Sequence, residues 1–194
     1  DYTELDTFDA LPFGNFLSVF VDLPAETLLA VLENCVSRVD VPMGFPTGGT
    51  GRFGQIGGLM VQWNEDVDPG AGRIRSVRLA DGTPVVLDGQ VVADPPMINL
   101  VTVDFLARGG DEYPFGDLPF TGVGVAYQRA LANFIEADAA DGGLGGVIAA
   151  ADYPVGGEGR NVQTGADLDR DGDVDFDDLL GLLADFGPCE AFPC

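Results

Sequence analysis

Residues 167–178 read Asp-Leu-Asp-Arg-Asp-Gly-Asp-Val-Asp-Phe-Asp-Asp. Taken as a loop, they put the carboxylates of Asp167, Asp169, Asp171, Asp175 and Asp178 at positions 1, 3, 5, 9 and 12, with Gly172 at position 6. Calcium takes about six to eight oxygen ligands at roughly 2.3–2.6 Å. Alternate residues of a tight loop turn inward, so the first three carboxylates converge on one ion. Gly172 supplies the positive φ of the sharp turn. Asp173, at position 7, is expected to add its backbone carbonyl. Val174 is apolar, as a loop residue anchored to a core should be. Leu179, Leu180, Leu182, Leu183 and Phe186 then have the spacing of a short amphipathic helix, closed by Gly187-Pro188. A solvated acidic tail would explain neither the glycine nor the registered apolar residues. Calcium is therefore the cofactor expected, held by Asp167, Asp169, Asp171, Asp173, Asp175 and Asp178.

Other chemistries are narrowed by what is missing. The sequence of 194 residues holds no His and no Lys, so no Ser-His-Asp triad, Cys-His pair or His-ligated zinc or iron can form from it. Asp and Glu number 32 against 9 Arg, a net charge of −23. Such a surface repels nucleic acid and anionic membranes and attracts cations. It also suits a solubility or salt adaptation. No apolar run reaches the roughly 18 residues of a membrane span, and Asp1-Tyr2-Thr3-Glu4 is not a signal-peptide start. Cys189 and Cys194 are spaced for a short-loop disulfide in an oxidising compartment, and three unbridged thiols is the other reading. Cys35 falls in an apolar helical pattern and reads as a buried thiol.

The elements that must position such residues follow from periodicity. Residues 16–23 are β-branched and aromatic, a strand. Pro24 opens a helix whose apolar positions Leu28, Leu29, Val31, Leu32, Cys35 and Val36 carry it to about Arg38. A Gly- and Pro-rich loop spans 41–51. Strands are expected at 58–63, 74–79 and 84–87, with Asp81-Gly82 and Asp88-Gly89 as turns. Residues 98–104 read as a buried strand, followed by a glycine turn at 108–111. Residues 123–138 read as a helix through Val125, Leu131, Phe134 and Ile135. Residues 139–146 read as a flexible surface loop, and 153–162 as an extended piece. Strands and helices mix without βαβ alternation, so the fold class is α+β, mixed sheets flanked by helices. One domain over 1–163 and a small calcium loop-helix with its Cys-containing tail over 164–194 is the expected division.

Four words carry a resemblance. They are Leu11-Pro12-Phe13-Gly14-Asn15, then Gly51-Arg52-Phe53-Gly54-Gln55-Ile56-Gly57-Gly58-Leu59, then Val103-Asp104-Phe105-Leu106-Ala107-Arg108-Gly109-Gly110-Asp111, and last Tyr153-Pro154 with Glu158-Gly159-Arg160. In this order the chain resembles the C-terminal, substrate-binding domain of the 5′-nucleotidase family, which includes UDP-sugar hydrolases, over about residues 3–162. The resemblance implies a nucleoside slot. Phe13 and Phe105 match two rings that sandwich the base, and Asn15 matches a polar partner of the base. Gly51 matches a close backbone approach, and Asp111 the carboxylate that accepts the ribose hydroxyls. Stacking contributes about 1–3 kcal/mol per base, and an ionised Asp is an acceptor suited to a diol. Without the resemblance, Phe13 and Phe105 read more readily as core residues, and Asn15 and Asp111 as turn residues. In the family a separate metallophosphatase domain and an upstream Arg-rich segment handle the phosphate. Both are expected to be missing from this chain, which would then not itself be an enzyme. A parent that has the metallophosphatase domain would be a phosphohydrolase. Glu112 stands where the family usually has glycine.

The calcium loop resembles one repeat of a type I dockerin. Dockerins usually carry two repeats, so a structural calcium is expected here rather than cohesin docking. Two functions follow. One is an extracellular or periplasmic domain that binds a nucleoside or nucleotide weakly. The other is a non-catalytic structural protein, a homo-oligomer or extracellular assembly held by calcium. Neither involves nucleic acid or a membrane span.

Overall fold

The computed structural model describes residues 3–39 and 51–149 and the backbone of 50 and 161–163. The calcium loop, the Cys189 and Cys194 tail, most of the loop at 41–51, most of the extended piece at 153–162 and the expected joint at Thr164 lie outside the described residues. The architecture is α+β, built as two compact units. One comprises Asp1–Asn34 with Pro96–Glu158, and the other Cys35–Pro95 with Gly159–Cys194.

The first unit begins with helix α1 (Glu4–Ala10) and strand β1 (Phe16–Leu23), followed by helix α2 (Ala25–Val36), in which the unit boundary falls. Pro24 precedes α2, and its carbonyl accepts the Leu28 N–H at 3.1 Å. The chain returns as β6 (Ile98–Val103), a single-turn helix α3 (Asp104–Ala107), β7 (Thr121–Ala126) and α4 (Tyr127–Glu136). These strands form an antiparallel sheet in the order β6-β1-β7. Its core is aromatic. Phe20 is 1% exposed and stacks on Phe115 at 4.4 Å, while Phe120 tilts against it at 5.6 Å.

Helix α1 opens at Thr3, whose N–H and hydroxyl both donate to the Asp6 carboxylate, at 2.6 and 2.7 Å. Those bonds, the hydroxyl's first, hold the Asp6 carboxyl below its usual range. The helix docks on α4 through a buried polar pair. The Gln128 amide donates to the Thr7 hydroxyl, and both residues are almost wholly buried. At the surface Arg129 pairs with Glu4.

The second unit holds a five-stranded sheet in the order β5-β4-β3-β2-β8, made of β2 (Leu59–Trp63), β3 (Ile74–Leu79), β4 (Pro84–Leu87), β5 (Gln90–Val91) and β8 (Asn161–Gln163). All its pairs are antiparallel except β2 with β8. Trp63, Ile74, Val77, Val85 and Val86 are buried, and so is Cys35, as its apolar pattern predicts. Arg73, 6% exposed, gives a guanidinium to the carbonyls of Val36 and Val39 at 2.8 and 2.7 Å. A cation there answers the negative end of α2.

Three expectations need correction. Residues 98–103 form a strand, but one at the sheet edge in which only Ile98 is buried and Val101 is 57% exposed. Residues 121–126 are strand, and the helix begins only at Tyr127. Residues 139–146 are at the surface, but they are not a loose loop. Leu144, Gly145 and Gly146 donate their N–H groups to Phe134, Ala137 and Ile135, which closes the end of α4. Among the described residues no helix is long and apolar enough to cross a membrane.

Candidate functional site

Antiparallel pairing of β1 with β6 sets Leu17 opposite Val103. One residue further out, the Phe16 N–H donates to the Asp104 carboxylate at 2.9 Å. The two chains therefore leave the sheet side by side, one into the segment Phe13-Gly14-Asn15 and the other into α3 with Phe105. Tyr127, at the start of α4, fastens the first segment at both ends. Its hydroxyl accepts the Phe13 N–H at 3.0 Å, and its own N–H donates to the Asn15 carbonyl at 3.1 Å. Neither ring belongs to the core. Phe13 is 70% exposed and Phe105 is 48% exposed. With the backbone of the Phe13 segment held, solvent rather than packing surrounds most of the ring.

Phe105 and Asp111 share one tight turn. A Cβ on Gly110 would fall 2.6 Å from the Phe105 ring, so the glycine is what lets the ring lie against the turn. Gly109 takes a φ of 85° and ends α3. The next turn, Gly110–Glu112, then holds two non-glycine residues in the left-handed region, Asp111 at φ 51° and Glu112 at φ 61°. Each such residue costs on the order of 1–3 kcal/mol and persists where its surroundings hold it, often at functional sites. Here the hold includes Asn34, whose side-chain amide donates to the Asp111 carbonyl at 3.2 Å. That bond engages only the backbone, and Asp111 itself is exposed.

Four of the five residues expected at a nucleoside slot thus belong to the first unit: Phe13 and Asn15 on one segment, Phe105 and Asp111 on the other. Gly51 lies in the second unit, on the turn Thr50–Arg52, exposed and with nothing within 4 Å of where a Cβ would stand. Asp104 and Tyr127 are not legible as site residues from sequence. Both act through backbone groups that only the fold brings near.

The sequence matches the profile described as 5′-nucleotidase, C-terminal domain over residues 1–117. The chain belongs to this family. The 5′-nucleotidase fold extends beyond the matched segment. The crystal structure of a 5′-nucleotidase precursor from Thermus thermophilus superposes with a TM-score of 0.60 at 26% identity, over 84% of this chain and 28% of that one. The structure of a Staphylococcus aureus protein described as a putative 5′-nucleotidase, in complex with alpha-ketoglutarate, superposes at TM-score 0.52 and 17% identity, over 69% of this chain and 26% of that one, which shows a shared fold. The chain thus spans between a quarter and a third of the length of these proteins. Among curated proteins none matches it.

Proposed function

We propose that this 5′-nucleotidase C-terminal domain binds a nucleoside or nucleotide between Phe13 and Phe105. In this reading Asn15 hydrogen-bonds the base, and Asp111 accepts the ribose hydroxyls. The observation that carries it is the exposure of both rings on segments that the backbone holds in place. Phe13 is the most exposed Phe among the described residues, and Phe105, exposed to the same degree as Phe8 and Phe16, differs from them in sharing a strained glycine turn with Asp111. An assembled aromatic slot gives a flat base about 1–3 kcal/mol per stacked ring face. The strained turn under Asp111 fits a carboxylate fixed for a diol.

The chain itself is proposed to cut no phosphoester. Two-metal hydrolysis needs ligands that activate water and hold the leaving oxygen, and this sequence offers no His to such a centre. Catalysis would belong to a metallophosphatase domain elsewhere in a longer protein. Outside the described residues, the donor set of Asp167, Asp169, Asp171, Asp173, Asp175 and Asp178 is all oxygen and matches calcium. We assign it a structural calcium in a protein on the extracellular or periplasmic side.

Adenosine, uridine and AMP titrated into the full chain should bind with a dissociation constant on the order of millimolar, because the surface is strongly acidic. Phe105→Ala should weaken binding by about 10-fold, the loss of one stacking face. Absence of binding at roughly ten times that concentration, or binding indifferent to both Phe13→Ala and Phe105→Ala, would refute the slot. Turnover of AMP by the purified chain would refute the non-catalytic reading.

A further inference from the structure

A concavity opens on the first sheet, with a volume of about 540 Å³. That lies within the roughly 300–1,000 Å³ of small-molecule sites. None of the slot positions named above lines it. Its walls are Phe16, Ser18, Asp104, Arg108 and Phe120, and its floor is β7 at Gly122 and Gly124.

Three features of the lining call for a ligand. Ser18 is fully buried, and its hydroxyl has no hydrogen-bond partner. Its neighbour across the sheet is Gly122. Gly122 has no positive φ to require glycine, and nothing lies within 4 Å of where its Cβ would be. Its lack of a side chain leaves the floor flat and open, as a glycine inside a strand does where something approaches closely. The floor is also bulged. Phe16 pairs with Ala126 and Ser18 with Gly122, so β7 carries extra residues there, and Gly124 turns at φ 77°. Bulges re-aim strands beside sites. The third feature is charge. The Arg108 guanidinium lies 5.3 Å from the Phe120 ring centre and faces the cavity in a molecule of net charge −23.

We propose that this cavity binds a flat aromatic carboxylic acid carrying a second, hydrogen-bond-donating group. The ring lies on the glycine floor between Phe16 and Phe120. The carboxylate meets Arg108, whose fork matches it in two hydrogen bonds. The Ser18 hydroxyl donates to the ligand from below. The donor at the far end of the ring meets Asp104, at the other end of α3 from Arg108 and on the same cavity wall. One oxygen of Asp104 holds the Phe16 N–H, and the other is the acceptor for the ligand. A para-hydroxy aromatic acid has this pairing of groups at opposite ends of one flat ring.

The test uses the full chain, labelled with nitrogen-15 and titrated with 4-hydroxybenzoate. Saturable shifts are expected at the amides of Ser18, Gly122 and Gly124, with a dissociation constant of about 1–10 mM. Arg108→Gln, at an exposed position, should weaken binding about 10-fold. Ser18→Ala, which keeps the shape and removes the buried hydroxyl, should weaken it by roughly 3- to 10-fold while leaving the protein at least as stable to heat. Should Arg108→Gln fail to fold, Ser18→Ala decides alone. The proposal is overturned by no saturation at roughly ten times the expected constant, by binding that these variants leave unchanged, or by shifts confined to Phe13 and Phe105. The last outcome would mean that the aromatic acid had entered the nucleoside slot.

Discussion

Asp111 shows how much of a site can be stored in one backbone conformation. Its φ of 51° is glycine's territory, and the residue before it is already a glycine on which the Phe105 ring rests. If stability alone ruled, glycine would be the better residue at 111 as well. Asp111→Gly is therefore expected to leave the protein equally stable or to stabilise it by up to about 1 kcal/mol, strain relief being partly offset by the entropy of an added glycine. The same change should weaken nucleoside binding, while adenine without its ribose binds as before. Thermal melts of the variant and paired titrations with adenosine and adenine check this. Clear destabilisation would instead mean that the Asp111 side chain supports the fold. The residue's type and its glycine neighbours can be read from the sequence, but the sign of φ cannot, because Asn34, which holds it, lies 77 residues away.

At the scale of elements, legibility follows local chemistry. Strand β1 and helix α2 are plain because β-branched residues stop at Pro24 and helical spacing starts there. Strand β7 misleads. Gly122 and Gly124 interrupt its apolar alternation, while Val125, Leu131, Phe134 and Ile135 offer a helical phase that belongs to α4 alone. The edge position of β6 is beyond reach, since an apolar run looks the same whether its outer side is covered or bare. Helix α1 escapes a reading by apolar periodicity, although the signature Thr3-x-x-Asp6 stands at its start. Its acid sensitivity follows from that pair. The Asp6 carboxyl is held below its ordinary value of 3.8 by Thr3. A depressed carboxylate contributes stability above its unfolded value and loses that contribution as pH falls through the lower folded value. Acidification from about pH 5 to below 3.8 should thus loosen α1 more in the native protein than in Asp6→Asn. Amide exchange of residues 7–10, followed against pH in both, measures the difference; equal pH slopes would remove Asp6 from the account.

For the molecule as a whole, a net charge of −23 sets the terms. Self-repulsion on this scale opposes compaction, and bound cations relieve it. A chelator should lower the thermal midpoint of the full chain, because an ion bound to the native state alone stabilises it by mass action. Asp167→Ala and Asp178→Ala should each abolish the response to calcium, and should leave nucleoside titrations as they were. A midpoint indifferent to chelator, with calorimetry silent to millimolar calcium, would leave the acidic repeat as a solvated tail. The family can be read from short words spread along the chain, two of which hold a glycine that the backbone requires, Gly58 at φ 78° and Gly109 at φ 85°. The division into two units cannot, because it depends on which distant strands find one another.

That division also has a consequence during synthesis. Phe16 and its partner Asp104 stand 88 residues apart, with most of the second unit encoded between them. At a translation rate of about 5–20 residues per second, β1 waits on the order of 4–18 s for its partner strand to leave the ribosome. Through that interval Phe-Leu-Ser-Val-Phe-Val is an unpaired apolar strand on a nascent chain. Such a strand can pair with the same stretch of a neighbour on the same messenger. The longer that interval, the longer the strand stands open to such pairing, so slowed elongation should raise the misassembled fraction.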